Sequence, residues 1–249
     1  MDALKARRTG VTKSRRQPVL SVAKRAAKTP PAPEWQAPPT LNEEAYRRLE
    51  ELIVTLELAP GSVVSEAILS ERLGIGTTPI REALQRLSRE YLIQILPRRG
   101  VIVTGIDVRQ QLQVLETRRE LDRLIARAAA RRGQAIDRAR FANIARTMSR
   151  AVAAGDTHAF LRADGELNAA LATAARNEIA ARTVATLHSV SRRFWFFHRN
   201  DHAGAATTMR LHVAFAKALA GGDEAVVARA SDALIDDLAE FARSTVDGS

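Results

Sequence analysis

The sequence contains no cysteine, and this absence excludes disulfides, thiolate nucleophiles and metal sites built on cysteine sulfur. No apolar run approaches the roughly 18 residues that span a bilayer, and no apolar segment follows the basic N-terminus as it does in a secretory signal. The G-x-S-x-G and Walker motifs of common enzyme classes are also missing. We therefore expect a cytoplasmic protein that is not an enzyme.

Positive charge is abundant but unevenly distributed. The formal net charge is +10, and residues 1–40 hold nine basic side chains against two acidic ones. Residues 41–104 carry eight Arg and nine Glu, so net charge alone does not indicate DNA binding there, and the placement of charge on one face matters more. Residues 1–40, which are Pro-rich from 29 to 39, are predicted to be a disordered arm and linker, with a DNA-contacting arm as the alternative.

Residues 66–103 predict a winged helix-turn-helix, in which a short helix, a glycine turn, a second helix and a two-stranded ribbon follow one another directly. Arg81, Gln85 and Ser88 share the outer face of the second helix, which is free to enter a DNA major groove. The opposite face has the i, i+3, i+4, i+7 spacing of a buried helix surface, and its members are Ile80, Ala83, Leu84 and Leu87.

The boundaries of this domain are marked by capping and turn residues. Thr78 is predicted to cap the second helix, with Pro79 in its first turn. A preceding amphipathic helix is predicted from Leu41 to Leu58, where Pro60 and Gly61 stop it. The ribbon is predicted at 92–96 and 101–104, with a basic tip at Arg98, Arg99 and Gly100 that is suited to phosphate or minor-groove contact.

Beyond residue 106 the pattern becomes helical throughout. Asp156 and Asp223 are predicted N-caps because each follows glycine and precedes an amphipathic segment. We predict a mainly all-α protein, with a winged helix-turn-helix at 41–105 and an antiparallel helical bundle at 106–246. The predicted bundle helices are 107–132, 137–154, 156–174, 177–199, 206–220 and 223–246.

These segments resemble a known family. The runs AYRRLEELIVTLELAPGSVVSE, ERLGIGTTPIREALQRL and PRRGVIV resemble the DNA-binding domain of GntR-family bacterial transcription regulators. The helical part resembles the FCD ligand-binding domain of that family, through RRELD at 118–122, DGELN at 164–168 and His212. The resemblance covers about 41–243.

The resemblance implies a homodimer that binds a palindromic double-stranded DNA operator, most often as a repressor relieved by a ligand. Thr77 stands where the family usually has an arginine, and Tyr91 replaces a glycine near the wing, a change that is expected to alter the wing angle. The DNA-contacting residues are predicted to be Thr77, Thr78, Arg81, Gln85, Arg98, Arg99 and Gly100.

A ligand site is predicted inside the helical bundle, because the helical period places several polar residues on interior faces. Arg118 is suited to bind a carboxylate bidentately, while Asn168, Asp164 and His212 are suited to hydroxyl or carbonyl groups. The alternative is that Arg118 forms a structural ion pair with Asp164 or Asp122. The predicted effector-binding residues are Arg118, Asp164, Asn168, His188, Arg192 and His212, and the effector class is a small organic acid.

A metal is the other interpretation of this site. In the metal-binding members of the resembled domain, one Asp and three His hold zinc or nickel. Here Asp164 and His212 match, whereas Asn168 replaces one His and Leu234 another, so only a weak site is expected.

The run 191–199 gathers four aromatic residues in a chain with only 4% aromatics. We interpret it as a core or subunit-interface helix, with pocket walls as the alternative.

Two other functions remain open from the sequence. A metal-dependent helical hydrolase would use Asp164, His188 and His212, but it has few ligands and leaves the helix-turn-helix unexplained. A sequence-neutral architectural DNA-binding protein would use the basic arm and would bind with a steep dependence on salt.

Overall fold

Helices form most of the described chain, as predicted, and a three-stranded antiparallel sheet accompanies them. The computed structural model describes residues 40–97, 99–200 and 204–247, so the predicted arm and Arg98 lie outside the described residues. No helix in these ranges has the length and apolar character needed to cross a membrane. In chain order the elements are α1 (Leu41–Val54), β1 (Val63–Val64), α2 (Glu66–Leu73), α3 (Thr77–Arg89), β2 (Ile93–Leu96), β3 (Gly100–Val103), α4 (Val108–Arg132), α5 (Ala135–Ala154), α6 (Thr157–Ala175), α7 (Glu178–His198), α8 (Ala205–Gly221) and α9 (Glu224–Asp247).

The first helix is shorter than predicted. Thr40 and Glu43 cap its start reciprocally, since the Thr40 hydroxyl accepts from the Glu43 amide and the Glu43 carboxylate accepts from the Thr40 amide. The predicted end at Leu58 is wrong. The helix stops at Val54 because Leu56 adopts a left-handed backbone with φ of 63°, which turns the chain before Pro60 is reached.

The start of α3 also differs from the prediction. Gly76 is the N-cap and Thr77 is the first helical residue, so Thr78 is not the cap. Gly76 offers no side-chain cap, and the third helical position is Pro79, which has no amide hydrogen to be capped. The buried face is as predicted, with Ile80 and Leu87 fully enclosed.

The wing is a small sheet in the strand order β1-β3-β2. The ribbon of β2 and β3 has the predicted position, with Leu96 paired to Gly100 at its tip. Strand β1, in which Val63 pairs with Ile102 of β3, was not predicted from the sequence. Two residues are too short for a periodic signal.

The bundle helices α4 to α9 lie within a few residues of their predicted positions, and Asp156 and Asp223 cap α6 and α9 as predicted. Helices α4 and α9 are joined by ion pairs that repeat every four residues on α4, which fixes the register of the two helices. These pairs are Arg119–Asp236, Arg123–Asp232, Arg127–Glu224 and Arg131–Glu224.

The winged helix and the bundle share packing. Val114 of α4 and Val190 of α7 belong to the apolar cluster of the winged helix, and Val54 of α1 belongs to that of the bundle. Arg193 of α7 is 2% exposed and donates to the carbonyl oxygens of Thr104 and Gly105 in the segment between the two parts. Burial lowers the pKa of Arg193 to about 10.

Candidate nucleic-acid interface and ligand cavity

The outer face of α3 is exposed along its length. Arg81 and Gln85 project from this face, and Thr77 and Thr78 lie exposed in its first turn. The first-turn amides of a helix have no partners within the helix and form a positive end, so this end of α3 is suited to a phosphate. The face therefore combines groups for backbone and base contact.

Arg81 is already positioned by a neighbour. Its guanidinium donates to both carboxylate oxygens of Glu66, the first residue of α2, at 2.8–3.2 Å. This hydrogen bonding raises the pKa of Arg81, which stays charged. The pair holds the arginine across the two helices of the motif, so part of its conformational entropy is lost before any DNA is bound.

The remaining residues that were predicted to contact DNA lie at the tip of the wing. Arg99 is exposed, and Gly100 begins β3 with φ of 96°. Arg98 lies outside the described residues. Tyr91 has φ of 60°, so the backbone keeps a conformation that glycine adopts freely and tyrosine adopts only with strain.

Gly100 has a packing role that the sequence did not reveal, because a Cβ at this position would lie 2.8 Å from the carbonyl oxygen of Val64 in β1. We predict that Gly100→Ala lowers the free energy of unfolding by about 2 kcal/mol, through this clash and the positive φ. Chemical denaturation measures the effect. Gly105→Ala is the control, since its Cβ meets nothing within 4 Å, and it should change stability by less than about 0.5 kcal/mol. Equal stability of the two variants would contradict this role.

A small cavity in the bundle brings the predicted effector residues together. Its volume is about 20 Å³, close to the space of one water molecule. Phe160, Leu161, Trp195 and Leu238 supply most of its apolar wall. The predicted polar residues that line it are Arg118, Asp164, Asn168, His188, Arg192 and His212.

One side of the cavity is a buried triad of α4 and α7. The Arg118 guanidinium lies 2.9 Å from Asp122 Oδ2, and His188 Nε2 lies 3.0 Å from Asp122 Oδ1. Burial opposes ionisation of Asp122, but Arg118 and His188 outweigh it and lower the carboxyl pKa to about 2. Of the two predicted partners for Arg118, the structure shows Asp122 and not Asp164, so a ligand at Arg118 has to join an existing ion pair.

The opposite side of the cavity is centred on Asp164. Its Oδ2 lies 3.2 Å from Arg192 Nε, and its Oδ1 lies 3.6 Å from His212 Nε2. The Asn168 amide is 3.4 Å from the same carboxylate. His212 Nδ1 lies 2.8 Å from the Thr208 carbonyl oxygen and donates to it, because a carbonyl oxygen only accepts.

This donor set does not fit zinc or nickel. Asp164 and His212 provide two metal-binding side chains, whereas such ions take three or four. The cationic Arg192 already contacts one oxygen of Asp164, and Leu234 stands where the resembled domain has a histidine. Within residues 40–97, 99–200 and 204–247, no three His, Asp or Glu side chains are placed to hold a metal ion.

Trp195 lines the cavity, which agrees with pocket walls, the alternative interpretation of the run 191–199. It is 4% exposed, and its indole Nε1 has no hydrogen-bond partner among the described residues. A buried N–H without an acceptor is costly, so an oxygen atom placed in the cavity would stabilise it. Its neighbours Phe194 and Phe196 are buried in the core as predicted, while Phe197 is half exposed.

Two family models match the sequence. The model of bacterial regulatory proteins of the gntR family matches residues 41–103, and the FCD domain model matches residues 113–237. The HTH-type transcriptional repressor RspR of Escherichia coli is 37% identical over 99 residues, which are 39% of this chain and 43% of RspR. An uncharacterized HTH-type regulator of Streptomyces ambofaciens is 40% identical over 68 residues, or 27% of this chain and 29% of that protein. The chain thus matches less than half the length of these relatives.

Solved structures with the same fold cover more of the chain. Escherichia coli McbR/YncC superposes with a TM-score of 0.66 over 84% of this chain and 97% of its own, at 19% identity. A GntR regulator from Rhodococcus superposes with a TM-score of 0.59 over 82% of this chain and 97% of its own, also at 19% identity. At this identity the likeness concerns the fold alone.

Proposed function

This chain belongs to the GntR family of bacterial regulatory proteins and carries an FCD domain, and from that premise we propose that it is a dimeric repressor that leaves a palindromic operator when a small hydroxy acid binds. The family membership makes it a transcriptional regulator with a DNA-binding domain, not an enzyme. It would act in the bacterial cytoplasm, where its operator lies.

The observation that carries the DNA-binding role is the exposed face of α3. Hydrogen bonds to Glu66 position the Arg81 side chain before DNA is bound. The planar guanidinium of Arg81 can donate two parallel hydrogen bonds, which match the two acceptors on the major-groove edge of guanine. Gln85 follows one turn later on the same face. One such helix contacts only a few base pairs, so a twofold dimer on two half-sites is the arrangement that gives useful specificity.

The cavity favours an acid that also carries a hydroxyl group. Arg118 and the Trp195 N–H, which has no acceptor among the described residues, are donors for carboxylate oxygens. Asp164 Oδ1 lies 3.6 Å from His212 Nε2, and a ligand hydroxyl would donate to the Asp164 carboxylate. Direct recognition by these groups needs no metal.

The experiment follows Trp195 fluorescence in the Trp35→Phe background, in which Trp195 is the only tryptophan. Glycolate, malate, citrate and gluconate serve as probes, and duplexes selected from a random-sequence library serve as the operator. We expect at least one probe to change the fluorescence and to weaken operator binding by roughly 5- to 150-fold. If none of these acids alters either signal, the effector class is wrong.

Arg118→Ala tests the carboxylate contact in the same assay. We predict that it weakens binding of the active probe at least about tenfold, because a charged hydrogen bond is lost from a buried site. Arg119→Ala is the matched control, since Arg119 is the next residue and pairs with Asp236 on the surface. A melting curve separates this result from unfolding. A folded Arg118→Ala variant with unchanged probe affinity would remove Arg118 from the site.

A further inference from the structure

Two consecutive arginines of α7 connect the bundle to the winged helix. Arg193 donates to the backbone after β3, which fixes α7 against the segment that joins the two parts. Arg192 lies in the wall of the ligand cavity and also reaches α1 of the winged helix. The cavity and the DNA-binding part therefore have one side chain in common.

The guanidinium of Arg192 is shared by groups from both parts. It donates to Glu50 of α1 at 2.5 Å and to the Leu161 carbonyl oxygen of α6 at 2.7 Å, and its Nε lies 3.2 Å from Asp164. All three side chains of this Glu50–Arg192–Asp164 bridge are largely buried. Burial by itself lowers the pKa of Arg192, but Glu50 and Asp164 raise it overall, so the guanidinium stays charged.

Arg192 also stands between two spaces of very different size. The ligand cavity has room for about one water molecule, whereas a cleft of about 930 Å³ lies between α1 and the bundle. The residues that line both spaces are Leu161, Asn168, His188 and Arg192. A ligand larger than water has to displace part of this wall, and Arg192 is its longest side chain.

We propose that Arg192 is a positioning residue that couples the cavity to the DNA-binding part, because a ligand carboxylate in the cavity takes its guanidinium away from Glu50. This proposal rests on the proposed function and specifies how the effector site acts on DNA binding. Glu50 is buried, and a buried carboxylate that loses its cation is destabilised. The winged helix then gains freedom to move away from α7, which changes the spacing of the two recognition helices in the dimer.

The first test needs no ligand, and the absence of native cysteine makes it specific. Spin labels on Glu71→Cys of α2 and Arg146→Cys of α5, both exposed positions, report the distance between the two parts by pulsed electron paramagnetic resonance. Labelled chains are diluted with unlabelled chains so that each dimer carries one labelled subunit. We expect Glu50→Gln and Arg192→Met each to lengthen or broaden the distance distribution relative to the unmodified chain.

Glu51→Gln is the matched control. Glu51 is the next residue on α1 and also pairs with the bundle, through Arg162 of α6, but this pair is exposed. Exposed pairs contribute little, so this variant should keep the original distribution. Glu50→Gln with an unchanged distribution, or Glu51→Gln with an equal change, would overturn the proposal.

The second test measures coupling with the acid that is active in the fluorescence assay. The acid should change the distance in the same direction as Glu50→Gln, and Glu50→Gln should bind the acid about tenfold more tightly, because Glu50 no longer competes for Arg192. If Glu50→Gln and the unmodified chain bind the acid with equal affinity, and the acid leaves the distance between the labels unchanged, the role of the Glu50–Arg192–Asp164 bridge is overturned. The effector assignment would remain intact. If no acid binds, the effector class fails, and the ligand-free distances still decide the proposal.

Discussion

Replacing Arg81 by alanine should strongly reduce selective DNA binding while the protein stays folded and dimeric. A bidentate contact between arginine and guanine contributes about 1–3 kcal/mol of discrimination against other bases, and a dimer makes this contact twice. The expected loss of operator affinity is therefore roughly 30-fold to 20,000-fold. Because Arg81 is exposed and pairs only with the partly exposed Glu66 among the contacts described, the free energy of unfolding should change by less than about 1 kcal/mol.

The measurement is fluorescence anisotropy with the selected operator and with a scrambled duplex. Arg72→Ala is the matched control, since Arg72 lies in the same motif and forms a comparable surface pair with Glu57. For Arg72→Ala, the ratio of the affinity for the operator to the affinity for the scrambled duplex should equal that of the unmodified protein. An Arg81→Ala protein that keeps the full ratio would remove α3 from the role of recognition helix.

Asp122→Asn should be the most destabilising of the conservative substitutions considered. Asp122 is buried between Arg118 and His188, and the amide leaves the Arg118 charge buried without its carboxylate. Breaking a buried pair from one side costs roughly 3–5 kcal/mol of unfolding free energy. Asp236→Asn removes the partner of Arg119 at the exposed end of the α4–α9 pairs and should cost less than about 1 kcal/mol. Similar losses in the two variants would contradict a buried triad.

The same carboxylate predicts a pH dependence. Its pKa is lowered in the folded protein to about 2, whereas the unfolded value is near 4, so its stabilising contribution is complete above pH 4. As the pH falls from 4 towards 2, the unfolded chain takes up the proton first, and about 2 kcal/mol is lost. Asp122→Asn should lack this part of the acid dependence. An identical acid profile in both proteins would show that Asp122 does not titrate in this way.

Periodicity in the sequence was sufficient to find the helices, the β2–β3 ribbon and the buried faces. The apolar spacing of Ile80 to Leu87 placed Arg81 on the outer face of α3, and the same argument placed Arg118, Asp164 and His212 inside the bundle. These predictions succeeded because a helix of 3.6 residues per turn converts spacing directly into orientation.

Periodicity could not predict which side chains contact one another in the folded protein. Arg192 and Glu50 are 142 positions apart, and periodicity does not show that they meet. The choice of Asp122 as the partner of Arg118 depends on side-chain direction within one helix. The early end of α1 depends on the backbone angle of Leu56, and the role of Gly100 depends on the neighbouring strand β1. Each of these is a property of tertiary packing.

Selection of DNA from a random-sequence library by the unmodified full-length protein tests the central claim most directly. We predict an enriched inverted repeat whose half-sites are about 10 base pairs apart, or a multiple of that distance, centre to centre. Affinity for this sequence should exceed that for scrambled DNA by at least roughly a thousandfold at physiological salt. Recovery of no motif, with binding that depends on salt alone, would contradict the account and favour a sequence-neutral DNA-binding protein.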